Sequence, residues 1–219
     1  MTWEYFVRVG EPLLRGAGTA LSLFLIVLVL SVPLGFLVTL MENSRIRIVR
    51  YIAMAYTYIM RGTPLLLQLL FIYFGLPLIP GIGAFLKLDA FTAAILGFTL
   101  NYTAYFAEIY RGGLLSIDRG QYEAAKVLGL SRVRTTFHII LPQMFKVVLP
   151  SMTNEITTLL KDTPLAFVIS IQEIMYFTKT AANRDLSILP YVFAFVLYLI
   201  LNTLLIMLLR KLEKKLKFE

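Results

Sequence analysis

Between Ser151 and Thr163 an apolar stretch carries an unusual density of polar groups: Asn154, Glu155, Thr157, Thr158, Lys161 and Asp162. Advanced at roughly 100° per residue, these side chains fall within about 160° of one another, while Met152, Ile156, Leu159 and Leu160 fall on the opposite side. A charged group at mid-membrane costs on the order of 3 kcal/mol, so it faces protein or a water-filled cavity. The stripe therefore reads as a translocation pathway or a substrate site. It also holds the one route to catalysis, a carboxylate pair of Glu155 and Asp162. With a single histidine, His138, and no cysteine, the chain lacks thiolate nucleophiles, thiolate metal sites and any relay that needs two imidazoles. Asn101, Tyr105 and Glu108 recur at i, i+4 and i+7 and so share a helix face. Asn101 is a candidate substrate contact, and Glu108 with Arg111 reads as an ion pair or part of a gate. Arg61 is expected to hold helix ends, and His138 is read as structural.

The elements that position these groups are membrane helices. Of 219 residues, 58% are hydrophobic and 16% charged, and the mean hydropathy is +0.77, which argues against a water-soluble enzyme. Gly16–Met41, Gly62–Leu86 and Leu186–Leu209 lack Asp, Glu, Lys and Arg, and each exceeds the roughly 20 residues a spanning helix needs. Ala90–Ala107 and a less apolar stretch from about Phe137 to Leu160 bring the expected crossings to five. Residues 46–60 read either as an interfacial helix or as the start of the second span, with a kink at Arg61-Gly62-Thr63-Pro64. The first run is too long for the apolar part of a secretion signal and is expected to be retained. With the N-terminus outside and the C-terminus inside, 14 Lys and Arg residues, Lys217 among them, fall on inner segments and six on outer ones. That asymmetry absorbs the net charge of +8 without nucleic acid. No internal repeat stands out, so residues 1–219 are expected to form one transmembrane domain.

The substantial inner segment, about 112–136, predicts a short helix. Asp118 followed by Gln121 has the form of a helix start, and Gly129 of a stop. Ala124, Ala125 and Leu128 would form a small, smooth surface flanked by Glu123, Lys126 and Arg119. Glu123-Ala124-Ala125, then Gly129, then Ile139, Leu141 and Pro142 resemble the EAA signature of permease subunits in ATP-binding-cassette (ABC) importers. Arg61-Gly62-Thr63-Pro64-Leu65, Ala104-Tyr105-Phe106-Ala107-Glu108 with Arg111-Gly112-Gly113, and Leu160-Lys161-Asp162-Thr163-Pro164-Leu165 are similar to the branch that imports polar amino acids.

The resemblance implies an all-α type I importer permease of five transmembrane helices, in a bacterial cytoplasmic membrane. Glu123, Ala124, Ala125 and Gly129 would belong to a coupling helix seated on a cytoplasmic ATPase dimer. A second permease subunit and an external binding protein would complete the importer. For an amino-acid substrate the candidate binding residues are Asn101, Glu155, Thr158, Lys161, Asp162 and Thr163. Asp162 and Lys161 would pair with the ammonium and carboxylate of an amino acid. Glu155 would face its side chain and favour arginine, lysine or histidine. No Gly-Lys dipeptide occurs, so the chain lacks a phosphate-binding loop of that type. It is expected to bind no cofactor, with ATP and Mg on the partner ATPase. The competing reading is an energy-independent amino-acid channel or facilitator.

Overall fold

The computed structural model describes residues 3–216, so Lys217 lies outside the described residues. All regular structure there is helical. Helix α1 (Trp3–Glu42) runs unbroken through Pro12 and Pro33. Helix α2 (Arg47–Gly62) is followed by the short α3 (Leu65–Leu70), a π turn over Phe71–Gly75 and two 3₁₀ turns, Leu76–Leu78 and Gly83–Leu86. Helix α4 (Ala90–Leu115) leads to α5 (Arg119–Val127) and α6 (Arg132–Thr135), then α7 (Leu141–Asp162). A 3₁₀ segment, Thr163–Ile169, joins α7 to α8 (Ile174–Asp185), and α9 (Leu189–Leu216) ends the described chain.

Helix α4 is the axis of the packing, set against α1, α2, α3 and α7. Its buried Phe98, Tyr102, Phe106 and Tyr110 meet Leu23, Phe24 and Val27 of α1 and Met144, Val148, Leu159 and Leu160 of α7 in one core. The approach of α1 depends on Gly35: a Cβ there would lie 2.6 Å from the Cβ of Phe106. Beside it the Thr39 hydroxyl donates to the Ala107 carbonyl at 2.9 Å, tying the helices where they are closest.

Among the described residues two helices are long and apolar enough to cross a membrane, Glu4–Glu42 within α1 and Leu189–Lys215 within α9, or three if the bent pair Arg47–Gly62 and Leu65–Leu78 is one span. The expected single helix through Gly62–Leu86 is not formed. A bend of 105° separates α2 from the segment after it, so residues 46–60 point differently from the apolar run that follows. The physical cause is Pro64, which has no N–H to continue the ladder. Helix α4 covers the expected Ala90–Ala107, and α7 begins at Leu141 after a π turn over Thr136–Ile140. Helix α4 has half of its residues buried against neighbours, Asn101 and Thr103 among them, polar groups that a lipid-facing helix could not carry. By contrast, only 6% of the most apolar window of α9 is buried.

Helix α8 is held by Glu173, whose side chain is fully buried. Its carboxylate accepts the backbone N–H groups of Met175 and Tyr176, each at 2.8 Å, and the Tyr198 hydroxyl of α9 at 3.2 Å. Burial raises the carboxyl from 4.5 to about 7, against the opposing pull of these donors. The folded protein thus holds this proton more tightly than the unfolded chain does. Its contribution to stability is full below about pH 4.5 and is lost as the pH rises to about 7. Thermal unfolding of the detergent-purified protein should show a loss of up to about 3 kcal/mol across that window, and Glu173→Gln should remove it. An unchanged pH profile in the variant would contradict this assignment.

Candidate functional site

The break between α2 and α3 builds one wall of a cavity. In a continuous helix the Met60 carbonyl would accept from the N–H of residue 64, which is proline. Two side-chain amides replace that donor. Asn101 of α4 donates to Met60 O at 3.1 Å and to the Gln68 side-chain oxygen at 3.1 Å. Gln68 donates to Met60 O at 2.9 Å, to Thr63 O at 3.1 Å and to the Thr63 hydroxyl at 2.8 Å. The loop is therefore fixed against α4. A further tie runs from the Tyr56 hydroxyl to Leu100 O at 2.5 Å.

The end of α2 so held carries Arg61 into a cavity of about 540 Å³, whose other lining residues include Thr63, Asn101, Tyr102, Tyr105, Glu155, Thr158 and Asp162. Helix α7 supplies Glu155, Thr158 and Asp162 from successive turns of one face. The Tyr102 hydroxyl donates to Asp162 Oδ2 at 2.7 Å, which fixes one carboxylate oxygen and leaves the other to a ligand. Arg61 Nη1 lies 3.0 Å from Glu108 Oε2, and its guanidinium sits 5.8 Å from the Tyr105 ring centroid. Glu108 also takes both arms of Arg111, so the expected Glu108–Arg111 ion pair is present and is extended to Arg61. One cation and two carboxylates thus meet in one polar cavity, a set suited to a ligand bearing both signs of charge.

Four of the six expected substrate residues line this cavity: Asn101, Glu155, Thr158 and Asp162. Asn101 is 4% exposed and commits its amide N–H groups to the loop, leaving its carbonyl oxygen as the group it can offer. Lys161 and Thr163 are not brought there. Thr163 is fully buried, its hydroxyl donating to Leu160 O at 2.8 Å and lying 3.4 Å from the Tyr198 hydroxyl. Lys161 turns into a separate groove beside α9. Arg61, expected to hold helix ends, is the cation that lines the cavity. The missed signal was Pro64, which needs a supported break just after Arg61.

The inner segment forms a short helix as expected, α5, which begins directly after Asp118 and ends at Val127, two residues before Gly129. Asp118 caps it by accepting the Gly120 N–H at 2.6 Å. Gln121, expected to complete that cap, instead accepts from the Gln143 side chain at 3.2 Å. Gly129 takes a φ of +70°, which lets its N–H reach Lys126 O at 3.0 Å and that of Leu130 reach Ala125 O at 3.0 Å. The expected smooth face is divided: Ala125 is 1% exposed and packs inward, while Val127 and Leu128 are 87% and 75% exposed. Glu123 and Ala124 lie on the exposed side.

Residues 31–218 match the family profile described as binding-protein-dependent transport system inner membrane component. The chain is 35% identical over 206 residues to the arginine transport system permease protein ArtQ of Bacillus subtilis (strain 168), covering 94% of this chain and 92% of that one. It is 34% identical over 221 residues to the putative glutamine transport system permease protein GlnP of Rickettsia bellii (strain RML369-C), with 98% of each covered. A crystal structure of an amino acid ABC transporter with histidines superposes with a TM-score of 0.89 at 29% identity, over 98% of this chain and 99% of that one.

The hydrogen bonds of Asn101 yield a direct test. Asn101→Leu removes the donors that hold the α2–α3 break and should destabilise the protein by about 1–3 kcal/mol, read as a lower melting temperature. An unchanged melting temperature would show that Gln68 alone suffices.

Proposed function

This chain belongs to the family of binding-protein-dependent transport system inner membrane components, and from that premise we propose how it carries its substrate and which substrate that is. It is the non-catalytic permease subunit of an amino-acid ABC transporter, and ATP hydrolysis belongs to a separate subunit. In our reading it crosses the cytoplasmic membrane five times, N-terminus outside and C-terminus inside, with α2 and the segment after it as one broken span. It pairs with a second permease subunit, and an external binding protein delivers the amino acid. Helix α5 is the coupling helix, and Mg and ATP are held by the ATPase dimer beneath it.

The substrate is a basic amino acid held in the α2–α4–α7 cavity. Asp162 receives the α-ammonium, and Arg61 takes the α-carboxylate in place of Lys161. Glu155 faces a cationic side chain, with Thr158 and the Asn101 carbonyl as neutral partners. The observation that carries this reading is the cavity's charge set: two carboxylates and one arginine match a zwitterion plus one further positive charge. The name of the arginine-transporting relative agrees with it, and that of the glutamine-transporting relative marks the competing outcome.

The test is substrate binding and substrate-stimulated ATP hydrolysis by the assembled permease, ATPase and binding protein across arginine, lysine, histidine, glutamine and glutamate. Basic amino acids should stimulate. Glu155→Gln should weaken arginine binding to the permease–ATPase complex at least tenfold, as expected for a lost charge-assisted contact. Stimulation by glutamine or glutamate alone would overturn the basic assignment. For the coupling role, Gly129→Val places a β-branched residue at a positive φ and should abolish ATP-driven uptake while leaving amino-acid binding in place. Uptake persisting without ATPase would instead identify a facilitator.

A further inference from the structure

The polar arc of α7 is wider than the cavity uses. Glu155 and Asp162 turn toward α4, while Asn154, Thr157 and Lys161 turn toward α9 and line a second space of about 520 Å³ together with Thr153, Arg210 and Glu213. The two spaces are nearly equal in volume, and Thr158 lines both. Its hydroxyl donates back to Asn154 O at 3.1 Å, so it presents a small, self-satisfied side chain at the boundary. A ligand crossing there displaces no hydrogen bond between helices.

The groove is polar where its setting is not. Along α9 the outward side chains are apolar, with Phe195 70% and Leu199 57% exposed. Lipid tails solvate those positions but not a groove of threonines, an asparagine and charged groups, which needs water or a polar ligand. From Lys161 to Pro150, which also lines it, α7 rises about 16 Å, longer than one amino acid and directed toward the basic end of α9. Lys161 and Arg210 form no ion pair among the described residues. Lys161 and Arg210 give the groove two cations against the single carboxylate of Glu213, an excess of positive charge that attracts a carboxylate.

We propose that the α7–α9 groove is a second station for the transported amino acid, entered from the cavity past Thr158, with Lys161 receiving the α-carboxylate that Arg61 releases. This rests on the reading of the cavity as the first station. It also gives Lys161 a part in carboxylate binding at a different place from the cavity.

The absence of cysteine from the chain makes the test direct. Asn154→Cys and, as a lipid-facing control, Leu199→Cys are each placed in the complete complex in proteoliposomes and exposed to a cationic methanethiosulfonate reagent. Labelling is read as the mass gain of this chain. Asn154→Cys should label at least tenfold faster than Leu199→Cys, and saturating L-arginine with ATP cycling should slow it at least threefold. In parallel, Lys161→Gln should lower arginine uptake per ATP hydrolysed at least fivefold. Labelling no faster than the control, or indifferent to arginine, overturns the proposal, as does normal coupled uptake by Lys161→Gln. A Lys161→Gln defect confined to arginine binding by the resting complex would place Lys161 at the first station. Loss of subunit assembly on size exclusion would make the groove an interface between copies, and either result overturns it. Arginine binding by Glu155→Gln reports on the cavity alone, so failure there is distinguishable from failure here.

Discussion

A helix broken inside a membrane protein leaves a carbonyl without its donor, and the structure is organised around meeting that need at Met60. Pro64 removes the N–H that would have served it, and Asn101 with Gln68 supplies the replacement. The consequence extends well beyond one hydrogen bond. The repaired break turns the chain through 105°, brings Arg61 over the Tyr105 ring and closes one wall of the polar cavity. Without the Asn101 and Gln68 amides the Met60 carbonyl would have no protein donor, at a cost of about 1–3 kcal/mol. The cavity and the means of holding the bent span are thus one construction.

The same constraint accounts for the distribution of charge through the bundle. Glu108 is held by two arginines from different elements. Glu173 is surrounded by two backbone N–H groups and a tyrosine hydroxyl. Asp162 keeps a tyrosine donor on one oxygen. These three carboxylates are given donors, while Glu155 lines the open cavity. Glu155 and Asp162 are the carboxylates that line the cavity, while Glu108 and Glu173 hold elements of the bundle together. At the other end of the molecule, α5 presents exposed apolar and small side chains beyond a glycine-terminated helix, a surface suited to a protein partner.

Much was legible without coordinates because it depends on local chemistry. Run lengths without charge marked α1 and α9, a period of 3.6 residues marked the polar arc of α7, and Asp118 and Gly129 bounded α5. The family motifs assigned the chain to amino-acid permeases. Where reading along the chain fell short, the failure was geometric. A helical wheel assigns each side chain an angle about its own axis but cannot say which neighbour occupies that angle. Lys161 and Asp162, adjacent in sequence and about 100° apart, consequently face different spaces. Thr163, one residue further, leaves the α-helix for a 3₁₀ turn and is buried against α9. Arg61 enters the cavity from the last turn of a helix far away in sequence, beside a break held by two amides, one of them 41 residues beyond Met60. The sequence alone determined which runs are apolar, which faces are polar and which family motifs the chain carries, since these follow from spacing and composition. Only tertiary packing decided which polar groups share a cavity, because that depends on where separate helices lie against one another.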